Sequence, residues 1–316
     1  MRYLVTGGAG FIGSNTVDEL VRRGHDVAVL DDLSTGKAAN LETVNSKIKL
    51  FQDSITNLEA LAEACRGVER VIHLAAQTSV PRSVKDPIET NRINVEGTLH
   101  VLVAARNAKV KRVVFASSCS VYGKTSVLPI PESTPLAPIS PYGLTKQVGE
   151  AYGRVFQELY GLEFVALRFF NVFGPRQDPG SAYSGVLSLF STALLAGTQP
   201  TVYGDGEQSR DFVYVQNVVE AILLAAEAKG APGLAFNIGT GSRYTLNQTL
   251  ALLEKITGRS AHAKYAAPRE GDIRDSQADI DLAREVLGYR ARFGFEEGLK
   301  RTWEWFCAAQ KAPSRP

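Results

Sequence analysis

The run Gly7-Gly8-Ala9-Gly10-Phe11-Ile12-Gly13 decides the fold. Before it lies Arg2-Tyr3-Leu4-Val5-Thr6, a short apolar, β-rich segment; from it Phe11, Ile12, Val17, Leu20 and Val21 recur at helical spacing up to Gly24. Strand, glycine turn and helix in this order point to a dinucleotide-binding unit, with a glycine-rich turn of any α/β protein as the plain alternative. Gly8 and Gly10 are expected to let backbone approach a pyrophosphate, and Gly13 to let helix and strand pack closely. The pyrophosphate would sit against Gly7, Gly10, Phe11, Ile12 and Gly13, where the helix N-terminus has N–H groups to give. A second strand, Asp26-Val-Ala-Val-Leu30, ends at Asp31-Asp32. An acid about 20 residues past the glycines suits the ribose hydroxyls of an adenosine. A carboxylate at Asp31 would repel a 2′-phosphate, which favours NAD over NADP. No Gly-Lys-Ser/Thr follows the glycines, so a triphosphate loop is excluded.

Working outward, apolar β-rich runs alternate with helical patterns up to about residue 165. Strands are expected at 2–6, 26–31, 48–52, 70–74, 112–116 and 163–168, and helices at 11–23, 57–65, 92–107 and 142–160. This alternation predicts an α/β fold, a doubly wound parallel sheet of the Rossmann type. Residues 1–170 would form the dinucleotide-binding domain, and 171–316 a smaller α/β substrate lobe. The boundary is soft, because the second half returns to the sheet. Within the lobe, Thr201–Val215 reads as a hairpin.

With 316 residues, 44% of them hydrophobic, the chain can bury a substantial core. Thirty-five Lys and Arg against 33 Asp and Glu leave a net charge of +2, and no long basic run points to nucleic acid. Cys65, Cys119 and Cys307 are sparse and odd in number, as expected in a reducing, cytoplasmic compartment. No apolar run is long enough to span a membrane, and the first strand begins so early that no leader is expected. The four histidines are scattered and the cysteines lack metal spacing, so no metal site is expected.

The second informative stretch is Tyr142-Gly-Leu-Thr-Lys146. Ser140 suits a helix cap and Pro141 a first turn, which puts Tyr142 and Lys146 on one helical face. An ammonium beside a phenol favours the phenolate and should draw its pKa toward neutrality, where a general base works best. A surface Tyr with a Lys at helical spacing is the plain alternative. The strand Val113-Val-Phe-Ala116 weighs against it, since it runs into Ser117-Ser118-Cys119-Ser120-Val121-Tyr122-Gly123. Ligands of open α/β sheets bind beyond the carboxyl ends of strands, and a serine there can hold a substrate hydroxyl.

Taken together, Gly7–Gly13, Asp31, Asp53-Ser-Ile55, His73-Leu-Ala-Ala76, Asn94, Ser118 and Tyr142/Lys146 closely resemble the extended short-chain dehydrogenase/reductases, from residue 1 to about 310. The resemblance implies a catalytic triad of Ser118, Tyr142 and Lys146. It also implies an NAD site lined by Asp53, Ile55, Leu74, Ala75, Ala76, Asn94 and Phe169. Arg168-Phe-Phe-Asn-Val-Phe-Gly174, Tyr203-Gly-Asp-Gly206, Ser209-Arg-Asp211 and Arg269-Glu-Gly-Asp272 resemble the nucleotide-sugar epimerases in particular. By that likeness Asn171 contacts the diphosphate, Arg210 and Arg269 neutralise phosphates, Tyr203 lies near uracil and Asp272 holds its ribose. A structural ion pair is the plain alternative for each arginine, because Arg210 has Asp211 beside it and Arg269 has Glu270 and Asp272.

Dehydratases of this family carry a Thr-Asp-Glu run where this chain has Ser118-Cys119-Ser120, and decarboxylases a Glu at Ser120. The resemblance therefore implies 4-epimerisation of a UDP-hexose, with tightly bound NAD and a 4-keto intermediate. In similar epimerases, the residue seven places after the Arg of Arg-Glu-Gly-Asp borders the sugar, which here is Ser276. Ser79, Asn171 and Gln177 also match the pattern of those that take acetylated sugars, although Cys119 stands where they often have Ser. Alternatives are a nucleotide-sugar reductase or dehydratase, or a non-catalytic dinucleotide sensor. The family commonly dimerises through two helices, for which 92–107 and 142–160 are candidates.

Overall fold

The computed structural model describes residues 1–178, 185–268 and 273–311, so the expected Arg269 and Asp272 lie outside the described residues. Seven strands form the central sheet: β1 (Arg2–Thr6), β2 (Asp26–Leu30), β3 (Ile48–Phe51), β4 (Arg70–His73), β5 (Arg112–Ser118), β6 (Glu163–Phe169) and β7 (Ala235–Ile238). Their order is β7-β6-β5-β4-β1-β2-β3, and every pairing is parallel. This is the expected doubly wound sheet. The second half of the chain supplies its last strand, with Ala235 opposite Ala166 and Ile238 opposite Phe169.

Strand periodicity divides the core in two. Tyr3, Val5, Val27, Val29 and Ile72 point to one face, where they meet Val17 and Leu20 of α1 (Phe11–Arg22). Leu4, Ala28, Leu30 and Val71 point to the other, against Val101 and Leu102 of α2 (Gly97–Asn107) and, further along the sheet, Phe156 of α3 (Pro141–Tyr160). Both faces being covered, the strands are apolar on both sides. Helix α3 starts as its sequence predicts: Ser140 Oγ accepts from Gly143 N at 3.1 Å, Pro141 opens the first turn, and Gly161 closes the helix at φ 67°.

The order of strands reverses at β1 and β4, and the crevice beyond their carboxyl ends is the expected ligand position. Helical backbone runs from Pro87 to Asn107, but residues Arg92–Glu96 form a π-helical turn, a feature that recurs at functional sites.

In the lobe, Thr201–Val215 is not a hairpin. Thr201–Tyr203 pairs with Lys264–Ala266, Ser209–Arg210 with Tyr244–Thr245, and Phe212–Tyr214 with Asn171–Phe173. Gly204 and Gly206, at φ 92° and 79°, turn the chain aside after its first strand. Each short strand then finds a partner distant in sequence.

Candidate active site

The glycine loop is shaped by what a side chain would strike. A Cβ on Gly13 would lie 2.0 Å from Gly7 O, so α1 can press onto the loop only without one. Gly7 has φ 71°, and a Cβ there would come within 2.7 Å of Ala75 N, where the segment after β4 closes on the loop. Gly8 has a second constraint besides the expected one. Its Cβ would meet Val29 Cγ1 at 2.6 Å, so its bareness also serves packing against β2. Gly10 is the N-cap of α1 and gives no side-chain cap, which leaves the first-turn N–H groups for an anion.

Asp31 stands at the end of β2 with little exposure. Its Oδ2 accepts from Ala9 N and its Oδ1 from Leu33 N, each at 2.9 Å. Burial raises its pKa, and these two N–H groups oppose the rise. A carboxylate pinned to the glycine loop, with lone pairs to spare, suits a ribose diol. Gly36 also approaches it, since a Cβ there would sit 2.8 Å from Asp31 Oδ1; the sequence reading did not single out this glycine. Asp53 accepts from Ser54 N at 2.7 Å and Asn57 Nδ2 at 3.0 Å, and Ile55 packs where a Cβ on Gly97 would strike it at 2.6 Å. Bare glycines, uncapped helix and fixed carboxylate fit NAD.

Asn94 lies in the π turn with its amide occupied. Its Nδ2 donates to Gln77 O at 2.9 Å and Thr145 Oγ1 at 3.0 Å, and its Oδ1 accepts from Gln77 N at 2.8 Å. It thereby clamps the segment after β4 to α3, a tie invisible from sequence spacing. Thr98 Oγ1 donates to Asn94 O at 2.5 Å, so His73 Nε2, 3.0 Å away, is the donor to Thr98. His73 Nδ1 then accepts from Thr6 Oγ1 at 2.7 Å. Burial, with Lys146 nearby, pulls the His73 pKa down to about 3 and keeps the ring neutral.

Ser118 ends β5, and Tyr142 and Lys146 face it from α3; all three are buried. Tyr142 N donates to Ser83 Oγ at 3.1 Å, which seats the first turn of α3. Lys146 Nζ donates to Ala116 O at 2.7 Å and lies 5.9 Å from the centre of the Tyr142 ring. Ser118 Oγ donates to Ser120 Oγ and accepts from Ser120 N, both at 3.1 Å. Burial pushes the Tyr142 phenol up to about 12, against a lowering hydrogen bond from Ser118. Burial likewise pulls Lys146 down to about 7, against the carboxylate of Glu150. The expected drift of the phenol toward neutrality is therefore not met in the protein alone. Helical spacing reveals the neighbouring ammonium but not the dry surroundings, and burial is the largest influence on the phenol.

In the lobe, Asn171 Nδ2 donates to Asp211 O at 3.2 Å and to Ser276 Oγ at 3.3 Å. Ser276 is 6% exposed and not a surface serine. Gln177 donates to Val172 O at 3.3 Å and accepts from Ser188 at 3.0 Å. Ser79 caps the helix Val80–Lys85, accepting from Arg82 N at 3.1 Å. Asp211 is occupied elsewhere than at Arg210: it takes the N–H groups of Thr240, Gly241 and Ala278 at 2.8, 3.0 and 3.1 Å and the Thr240 hydroxyl at 2.7 Å. Arg210 Nη1 donates to the carbonyls of Ser209 and Arg274, both at 2.9 Å. Its charge also reaches Cys119, whose thiol burial pushes up to about 11 and Arg210 draws back. Tyr203, Gly204, Ala266 and Pro268 line a cavity of about 400 Å³.

Residues 3–239 match the NAD dependent epimerase/dehydratase family. The chain is 41% identical to the UDP-glucose 4-epimerase of Mycolicibacterium smegmatis, over 97% of this chain and 98% of that protein. Among solved structures it resembles the UDP-glucose 4-epimerase of Thermotoga maritima bound to UDP-glucose, at 42% identity and a TM-score of 0.94, covering 98% of this chain and 100% of the other. It also resembles the UDP-N-acetylglucosamine 4-epimerase of Methanobrevibacter ruminantium in complex with UDP-N-acetylmuramic acid, at 38% identity and a TM-score of 0.94, covering 98% of each chain. With its parallel sheet and glycine-bordered crevice, this chain belongs to the NAD-dependent epimerase/dehydratase family, the extended short-chain dehydrogenase/reductases that its motifs resemble.

Proposed function

We propose that this chain is a 4-epimerase of UDP-hexoses that works through a transient 4-keto sugar and keeps its NAD. The observation that carries this reading is the meeting of buried Ser118, Tyr142 and Lys146 beyond β5, with Cys119 and Ser120 beside them instead of carboxylates. NAD, when bound, would supply reversible hydride acceptance at carbon 4. Gly7, Gly10, Phe11, Ile12 and Gly13 hold its pyrophosphate and Asp31 its adenosine ribose. Asp53, Ile55, Leu74, Ala75, Ala76, Asn94 and Phe169 wall the rest of its site.

Tyr142 takes the proton of the 4-hydroxyl, with Ser118 bridging the two oxygens. Lys146 stabilises the phenolate and holds the nicotinamide ribose. The 4-keto sugar turns over in place while Asn171, Arg210 and Arg269 keep its diphosphate, Tyr203 its uracil and Asp272 its ribose. Tyr142 then returns the proton to the inverted centre. A dehydratase would need a further acid and base for elimination, and neither Cys119 nor Ser120 supplies one.

Substrate range follows from Ser276, small and buried beside Asn171. It leaves room for an N-acetyl group, so UDP-N-acetylglucosamine and UDP-N-acetylgalactosamine are substrates alongside UDP-glucose and UDP-galactose. The working form is a cytoplasmic homodimer. Leu144, Val155 and Leu159, exposed along α3, and the helix 92–107 form its interface. Incubation of purified protein with UDP-glucose or UDP-N-acetylglucosamine, without added NAD, should give the 4-epimer of each. A stoichiometric demand for cofactor would contradict the reading.

A further inference from the structure

Beneath the triad lies a buried polar cluster that the reaction as described does not use. Glu150 follows Lys146 by one helical turn, so Tyr142, Lys146 and Glu150 fall at i, i+4 and i+8 along one face of α3. Glu150 is 1% exposed. Arg168 of β6 grips it with Nε at 2.9 Å and Nη2 at 2.7 Å, a bidentate pair. Ser117 Oγ, next to Ser118, donates to the same carboxylate at 2.5 Å. Arg168 Nη1 continues to Tyr122 OH at 2.9 Å, and Tyr122 OH donates to Asn237 Oδ1 of β7 at 2.7 Å. One carboxylate thus ties the helix carrying the base to the strand carrying Ser118 and to the neighbouring strand.

We propose that Glu150 is a positioning residue for the reaction: its fixed carboxylate keeps Lys146 an ammonium beside Tyr142, and Arg168 and Ser117 hold the carboxylate in place. A buried ion pair by itself is weak ground for stability, which makes a role toward Lys146 the better account of a charge kept in this core. Among the described residues, Glu150 is the carboxylate whose charge acts on Lys146. From α3 it meets Tyr142 and Glu150, from β4 the neutral His73, from β5 the Phe115 ring at 4.9 Å and the Ala116 carbonyl. Burial draws Lys146 toward the neutral amine, and Glu150 is the charge that resists it.

This inference rests on the reading of Tyr142 and Lys146 given above. The test is the pH profile of kcat for UDP-galactose conversion by the NAD-loaded enzyme. In Glu150→Gln, Lys146 should lose its proton earlier, so the alkaline limb should move down by about one pH unit. kcat should fall about tenfold or more, with KM and bound NAD near wild type. The double variant Glu150→Gln/Arg168→Met removes both charges, avoids an orphaned guanidinium and must move the limb the same way. Arg168→Lys loosens the pair but leaves the carboxylate charged. It should lower the melting temperature and leave the limb in place. An unmoved limb in both glutamine variants, or an equal shift in Arg168→Lys, overturns the proposal. Lys146→Met separates the two readings: if it leaves turnover intact, the role of Lys146 itself is wrong.

Discussion

Asn171 Nδ2 lies 3.3 Å from Ser276 Oγ, joining two residues 105 positions apart at one part-buried wall. Asn171 stands just past β6, in the stretch that resembles a diphosphate contact, and under the proposed function Ser276 borders the sugar. A tyrosine there would overfill the space. Ser276→Tyr should abolish conversion of the acetylated pair while leaving that of UDP-glucose and UDP-galactose within about threefold, a steric discrimination of the kind a filled pocket gives. Equal loss of both activities, measured by chromatography of the products, would remove Ser276 from the role of gatekeeper.

Tyr142→Phe deletes one oxygen and keeps the buried ring. Turnover should fall by about 10²–10⁴-fold or more, with the melting temperature and bound NAD retained. Ser118→Ala should cost a comparable or smaller factor. Residual activity of Tyr142→Phe within about tenfold of wild type would mean that another group takes the proton.

Asp31→Ala removes the carboxylate held by Ala9 N and Leu33 N. Calorimetry on apo-protein should show NAD affinity falling by about tenfold or more, with UDP binding unchanged. Arg210→Ala should do the reverse, raising the KM for UDP-sugar and leaving cofactor occupancy alone. If Asp31→Ala weakened both ligands equally, the carboxylate would be holding the glycine loop instead of a ribose.

His73 gives a pH dependence of stability. Its pKa is pulled from 6.5 to about 3 in the fold, so the unfolded chain binds the extra proton first as pH falls. Stability is fully present above pH 6.5 and declines below it, toward a total on the order of 4–5 kcal/mol by about pH 3. Urea unfolding at fixed NAD between pH 8 and about pH 5 should show the decline begin. His73→Gln should be less stable at pH 8 but flatter across that window. An unchanged slope would mean that other groups carry the acid sensitivity.

What the sequence could disclose is what local patterns encode. Ser140-Pro141 marked the start of α3, Asp31 the end of β2, and the alternation of apolar runs the first six strands. Gly13 was legible because helix and strand meet within a few residues of it. At Gly8 the packing constraint was not legible, because it is set by Val29, a contact that exists only once β2 lies beside β1. The seventh strand, Ala235–Ile238, escaped for the same reason: its partner Ala166 is far away along the chain. The high pKa of Tyr142 needed knowledge of burial on all sides. Glu150 had a signal, one more step of the spacing that joins Tyr142 to Lys146, but its meaning depended on Arg168 arriving from another strand.

The central claim is that one carbon-4 hydride leaves and returns within a single bound sugar. The measurement that tests it most directly uses UDP-galactose carrying deuterium at carbon 4, incubated with purified enzyme in ordinary water without added cofactor. Mass spectrometry of the products should find the label kept at carbon 4 of UDP-glucose, at the same isotopic content as the substrate. Loss of the label to solvent, or its accumulation in free reduced cofactor, would contradict the account.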